Sequence, residues 1–424
     1  MFESNIIRFT LKQITPIIHF KGEEGTLRGS DLKPRFDKFL HLVIDEKETE
    51  SYLLKRKNSE INEDNSIKKG AFDYKLKITK SEKRDFKGIK TYIDEKNKIK
   101  GAYFGNKTSL SFYKSITVEF IVKEKGLTEY IKNWFPKFIV FNTFGTRKNK
   151  GYGYFIPEKI EIAEKKEEYE VNYKYLLNSI KQVASMYKHN GKEYLGIYQI
   201  ESGSERGNKV VVDLIKEFHQ ILKSGINSKS YMPSIMLKKY NILSNSCNEK
   251  KGMKILLKKQ GIDISKLTKN LKENISGEFP KNKYFIRTLL GFAPYYDFRG
   301  ISHGKFTLTN CDENGKSTAE IFDRFESPIQ YIPIPRINFP ELKRNMAILV
   351  VDYKKIEEFR KNRLFIFRND ICEENEVFKV PTEEEYSIRK IFGNGGILCN
   401  SKNYSEYFNY KVLHDIQEYP VIRE

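Results

Sequence analysis

A helical stretch that runs directly into a glycine-rich basic loop, and then into a strand, constrains this chain more than any other feature. Leu127, Ile131, Phe135, Phe138 and Ile139 recur at helical spacing over Leu127 to Phe141. The loop follows as Gly145-x5-Gly151-x-Gly153, with Arg147, Lys148 and Lys150 inside it, and Tyr152 to Ile162 reads as a strand. Glycines permit left-handed backbone and the close approach of a ligand. The basic side chains supply charge for phosphates, and Phe144, Tyr152 and Tyr154 offer rings on which bases stack. The order helix, loop, strand disfavours a Rossmann or P-loop site, whose glycines lie between a strand and the helix after it. On spacing alone, a tight solvated turn stands beside the phosphate-binding reading.

The preceding residues give the loop its context. Ile7, Phe9, Leu11 and Ile14 fall close to period two, so Asn5 to Thr15 reads as a strand that ends at Thr15-Pro16. Ser30 is placed to cap a helix with Asp31 in its first turn, and Leu32, Phe36, Phe39 and Leu40 follow at helical spacing. Pro34 falls in the first turn of that helix. Residues 45–70 are mostly charged or polar and read as a solvated insertion. Phe72, Tyr74, Leu76 and Ile78 alternate, and Phe112 to Val122 is rich in β-branched and aromatic residues, giving two further strands. The resulting order is βαββαβ, the ferredoxin-like plan shared by RNA-recognition modules.

The charged run 163–170 marks a domain junction or extends a helix. Beyond it, 171–275 reads as mostly helical, as in Tyr175 to Tyr187 and Val210 to Leu222. Strands return at Phe325 to Ile334 and Met346 to Tyr353, and a last helix fits Glu383 to Phe392. Gly393-Asn394-Gly395-Gly396 after it is read as a helix-terminating turn in preference to a second glycine-rich loop. The chain is thus α+β, with a first domain over 1–165 and a second over 166–424 that carries a helical insertion at about 205–275.

Charge narrows the partners. Lys+Arg total 76 against Asp+Glu 56, a net charge of +20, which favours a polyanion and nucleic acid first, although a generally Lys-rich composition gives the same balance. No signal peptide and no membrane-length apolar run is visible. Cys247, Cys311, Cys372 and Cys399 are too far apart for a metal knuckle, so a reduced, cytoplasmic chain without metal is expected.

Three stretches resemble the RAMP superfamily of CRISPR-associated proteins, and within it the head subunits of type III-B (Cmr) effector complexes. Ile14-Thr15-Pro16-Ile17-Ile18, with Thr26-Leu27-Arg28-Gly29-Ser30-Asp31-Leu32-Lys33, resembles the family's opening. The 144–153 segment resembles its basic glycine-rich loop. Leu289-Leu290-Gly291-Phe292-Ala293-Pro294, with Arg324-Phe325-Glu326-Ser327-Pro328-Ile329, resembles its second-domain pair of turn and strand start. The chain departs from the pattern at Arg35-Phe36-Asp37-Lys38-Phe39, where an Arg-Phe-Trp-like run is usual, and at Asn149, where arginine is common.

The resemblance implies two ferredoxin-like (RRM-like) units and RNA binding without catalysis or cofactor. The implied partners are CRISPR RNA near its 3′ end, target RNA and other effector subunits, in antiviral defence. The implied RNA-binding residues are Arg28, Ser30, Lys33 and Arg35 at the first helix, Gly145, Arg147, Lys148, Lys150, Gly151, Tyr152 and Gly153 in the loop, and Arg324 and Ser327 in the second domain. A helix N-terminus already attracts phosphate. For Lys33 and Arg35 an ordinary solvated helix face is the competing reading.

An enzymatic alternative remains. None of the six histidines has metal-ligand spacing, but His19 and His303 are candidates for metal-free RNA cleavage of the kind RAMP processing nucleases perform. Such a histidine takes the 2′-OH proton while Lys305 or Arg299 stabilises the phosphorane. A lone loop histidine is more often a surface residue, Asp297 and Asp312 are too isolated for a two-metal site, and His219 reads as structural. A backbone subunit that cleaves target RNA and a protein-only scaffold complete the alternatives; the scaffold predicts no salt-dependent RNA binding.

Overall fold

Strand β1, Asn5–Gln13, alternates outward and inward, so Ile7, Phe9, Leu11 and Gln13 enter the core. The structure is a computed structural model and describes residues 5–19, 25–54, 70–84, 86–101, 109–162, 165–203, 210–227, 231–232, 234–240, 246–265, 278–291, 295–298, 301–316, 325–361, 363–371, 376–400 and 407–416. The elements used below follow in chain order. They are β2 (Ile17–His19), α1 (Gly29–Val43), β3 (Tyr74–Lys80), β4 (Ser109–Ser111), β5 (Ser115–Val122), α2 (Lys125–Phe141), β6 (Phe155–Ile162), β7 (Lys165–Glu168), α3 (Tyr173–Met186), β8 (Leu195–Ser202) and α4 (Val211–Lys223). Then come β9 (Ser246–Asn248), α5 (Glu249–Lys259), β10 (Asn282–Tyr284), β11 (Tyr295–Asp297), β12 (Lys305–Cys311), β13 (Ile329–Ile334), β14 (Met346–Asp352), α6 (Tyr353–Arg360), β15 (Leu364–Arg368), β16 (Val377–Lys379) and β17 (Phe408–His414).

The first sheet has the order β3-β5-β1-β6-β7 with antiparallel neighbours throughout. β5 alternates like β1 and turns Ile116, Val118, Phe120 and Val122 inward. Helices α1 and α2 bring Leu32, Phe36, Phe39, Ile131, Phe135 and Phe138 into the same core. Its centre is an aromatic cluster in which Phe135 lies 4.7 Å from Phe9, 4.7 Å from Phe120 and 5.3 Å from Phe36 between ring centroids. Each such buried ring contributes about 1.5–3 kcal/mol. A four-stranded sheet has the order β13-β14-β8-β17. Counted in chain order within β1, β3, β5, β6 and within β8, β13, β14, β17, both sets run second, third, first, fourth.

The chain divides into two compact units, 1–216 with 330–350 and 406–409, and 217–329 with 351–405 and 410–424. The second unit is built on a six-stranded sheet of order β9-β10-β16-β15-β12-β11, whose buried side carries Phe306, Leu308, Phe365 and Phe367.

Several expectations change. Helix α1 begins at Gly29 behind an extended Arg28, so Ser30 lies inside the helix and does not cap it, and Pro34 lies past the first turn. Lys165–Glu168 pairs with β6 as strand β7 and extends no helix. Strand β8 stands within the stretch read as helical; it is buried along nearly its whole length and so shows no clean alternation. The 205–275 insertion mixes helices with short strands, and β9 is an edge of the six-stranded sheet. The last helix is confined to Arg389–Phe392. Glu46–Tyr52 is a helix that buries nothing, in keeping with a solvated insertion, and 55–69 lie outside the described residues.

Candidate nucleic-acid interface

Helix α2 ends at Asn142, whose amide bonds Ile139 O (3.2 Å) and whose side chain donates to Phe138 O (2.8 Å). The loop that follows is stitched to the segment linking β1 and β2. Thr146 N donates to Ile18 O (2.9 Å), Gly153 N to Pro16 O (2.8 Å), and Phe144 N to Gly153 O (2.9 Å). The hydroxyl of Thr15 donates to Gly151 O (2.7 Å) and accepts from Tyr154 N (3.0 Å). A single 3-10 turn, Lys148–Lys150, has Arg147 and Gly151 in left-handed conformation on either side. The glycines are needed for space as well as for φ. A Cβ on Gly145 would lie 2.7 Å from Ile17 Cγ1, on Gly151 2.8 Å from Ile215 Cδ1, and on Gly153 2.0 Å from Phe144 O.

The loop also joins the N-terminal turn of α1, so two motifs far apart in sequence form one surface. Gly145 N donates to Asp31 Oδ2 (3.0 Å). Arg35 donates to Thr143 O (2.8 Å) and Asn142 Oδ1 (2.6 Å), sits 3.7 Å from Asp31 Oδ1, and lies over the Phe144 ring. Arg28 and Ser30 are exposed, and Arg147, Lys148 and Lys150 are half-buried, with Lys150 Nζ 5.8 Å from the Tyr331 ring centre.

Other expected site residues are turned inward. Phe144, Tyr152 and Tyr154 are buried, and burial pushes both phenols well above their ordinary pKa. Their ring faces are occupied by the core, which corrects the expectation that Tyr152 and its neighbours stack on bases. Lys33 Nζ donates to Phe72 O (2.9 Å), pairs with Asp37 (3.2 Å) and lies over the Tyr74 ring; burial lowers its pKa despite Asp37. Lys33 and Arg35 are therefore internal clamps, and the loop glycines spend their amides inside the protein. The i, i+4 pairs Lys33–Asp37 and Asp31–Arg35 are the sequence signal for this arrangement.

In the second unit, Gly291 (φ +105°) packs on Ser327, where its Cβ would lie 3.0 Å from Ser327 Cα, so the turn and the strand start meet. Arg324 lies outside the described residues. His19 belongs to β2 and is buried against Gly25, not carried on an open loop. His303 donates from Nδ1 to Asp370 Oδ2 (2.8 Å), a partner 67 positions away that no spacing rule reveals. Among the described residues no cluster of His, Cys, Asp or Glu suits a metal ion, and no helix is long and apolar enough to cross a membrane.

A mixed α+β chain whose glycine-rich basic loop closes the first sheet is of the RAMP class. Family models for the Cmr1 N-terminal domain and the Cmr1 C-terminal domain match residues 4–226 and 231–405. The chain belongs to the Cmr1 family, head subunits of type III-B Cmr effector complexes. Among solved structures it is similar to crystalline Cmr1 from Pyrococcus furiosus in the apo form, at 10% identity and TM-score 0.33, over 88% of this chain and 93% of that one. It is also similar to a chain in a cryo-EM structure of the type III-B Cmr-β bound to cognate target RNA, at 14% identity and TM-score 0.23. That match covers 38% of this chain and spans 61% of the other's length. A comparison with curated proteins finds no match.

Proposed function

We propose that this chain is a non-catalytic RNA-binding subunit that holds guide CRISPR RNA and helps engage target RNA in antiviral defence, beside other effector subunits in the cytoplasm. One observation carries the reading: the Asp31–Gly145 and Arg35–Thr143 bonds gather Arg28 and Ser30 beside Arg147 and Lys148 into one rigid, cationic surface on a chain of net charge +20. A preorganised cationic groove is what a single RNA strand requires. The shared strand order, with helices α1 and α2 after the first and third strands of one set and α4 and α6 after those of the other, supports two ferredoxin-like units over 1–165 and 166–424. Ser327, and Arg324 beside it in sequence, extend the proposed contact set into the second unit.

Replacing Arg147, Lys148 and Lys150 together by alanine tests the reading. Binding of a single-stranded RNA oligonucleotide should weaken, and the slope of log K against log salt should shrink by about 2, since each phosphate contact on a single strand contributes roughly 0.7. Unchanged affinity and slope, with the fold intact by circular dichroism, would remove the loop from the RNA site.

A further inference from the structure

The second unit carries an open cleft of about 780 Å³ on the solvent face of β11, β12 and β15, lined by Asp297, His303, Lys305, Thr307, Arg368 and Asp370. Strand register arranges its side chains. Tyr295 pairs with Thr307 and Thr307 with Arg368, so an aromatic ring, a hydroxyl and a guanidinium form one outward row across three strands. Asp297 and Lys305 form the next row. Adjacent strands lie about 4.8 Å apart, which places Arg368 two strand spacings from Tyr295. Tyr295 is 73% exposed, an unusual position for a large ring, at the edge of the sheet and in one row with Thr307 and Arg368.

His303 is held beside these rows in a conformation that a non-glycine residue seldom adopts, with φ +53°. The turn around it is closed by Phe298 N donating to Gly304 O (2.9 Å) and by the Asn369 side-chain amide donating to His303 O. Asp370 takes Nδ1–H, which fixes the ring and leaves Nε2 for a ligand. A strained backbone pinned from two sides holds an oriented imidazole in a cleft that Lys305 and Arg368 also line, an arrangement the fold alone does not need.

We propose that this cleft and the adjoining ring of Tyr295 form a second single-stranded RNA contact, in which Tyr295 stacks on a base and Arg368, Lys305 and His303 hold the adjoining phosphates. The surface favours RNA over a protein partner because Arg368 stands in one outward row with the exposed Tyr295 ring, and Lys305 lies on the same face in the next row. The inference rests on the RNA-binding function proposed above but concerns a different surface.

The test measures fluorescence anisotropy of a labelled 20-nucleotide poly-uridine with the full chain at physiological salt. Tyr295→Ala with Arg368→Ala should raise Kd five- to a hundredfold, the span expected for losing one stacked base and one phosphate contact, while Tyr295→Phe stays near wild type. Crosslinking of 4-thiouridine RNA, mapped by mass spectrometry, should label the peptide containing Tyr295, a readout independent of how the variants fold. A Kd within twofold of wild type and no crosslink at Tyr295, while the loop variant weakens binding, would overturn this site and leave the function standing. Wild-type protein that fails to bind the oligonucleotide would overturn both. RNA cutting in EDTA that is lost in His303→Ala would replace the binding assignment with a catalytic one.

Discussion

Replacing Gly153 by alanine asks whether the glycine-rich loop is part of the packed core. Gly153 has φ +67°, and an added Cβ would come within 2.0 Å of Phe144 O. That oxygen cannot withdraw cheaply, because Phe144 N is itself bonded to Gly153 O and the Thr143–Tyr154 bridge lies alongside. Left-handed backbone costs an L-residue about 1–2 kcal/mol. Forcing an atom into a well-packed site costs typically about 1–3 kcal/mol more. Gly153→Ala should therefore lose about 2–5 kcal/mol of stability on these two terms. Gly191 is the control, since its φ is +76° but an added Cβ meets nothing within 4 Å. Gly191→Ala carries the backbone cost alone, about 1–2 kcal/mol. Both are measured by urea unfolding with equal m-values, followed through Trp134, the chain's one tryptophan, which lies 5.7 Å from Phe39 in the first core. Equal losses for the two variants would refute the steric argument.

Two further outcomes follow from buried polar groups. Arg35→Ala leaves the buried Thr143 carbonyl without its guanidinium donor and should cost about 1–3 kcal/mol by urea unfolding, with faster proteolysis within 145–151; Arg35→Lys, with one nitrogen for two acceptors, should recover only part of the loss. In the second unit, burial and then the Arg287 charge push Lys223 down to about 7, below its ordinary 10.5. Between those values the unfolded chain binds the extra proton, so stability rises with pH, and below about 7 the penalty is complete. The stability of wild type relative to Lys223→Met should grow by about 2 kcal/mol from pH 7 to 9, and a flat difference would contradict the assignment.

What the sequence made legible, and what it hid, divides along physical lines. Strands β1 and β5 and helices α1 and α2 were readable because each buries one face and so carries a period. Strand β8 was hidden because Leu195, Ile197, Tyr198 and Ile200 are all buried, and a strand covered on both sides loses its alternation. The loop was visible as glycines and lysines, yet its spacing cannot tell amides aimed at a ligand from amides bonded to Ile18 and Pro16. Lys33 and Arg35 looked like surface cations because charge is read before partner, although their i, i+4 carboxylates were in plain view. Arg368 reaches Thr307 through strand pairing, and Asp370 reaches His303 just beyond the ends of the same two strands, neither of which a local pattern encodes.

Strand β8 lies between β14 and β17 in its sheet. On the ribosome, β8 emerges long before either neighbour, whereas β1, β3, β5 and β6 are complete once Ile162 has left the exit tunnel. The nascent chain therefore carries a finished first sheet and an apolar β8 that is unpaired until Asp352 is made and open on one side until His414 is made. Long-range pairing of this kind is slow and leaves sticky edges open meanwhile. Premature termination before β17 would leave β8 with one open flank, an apolar edge of the kind that templates aggregation.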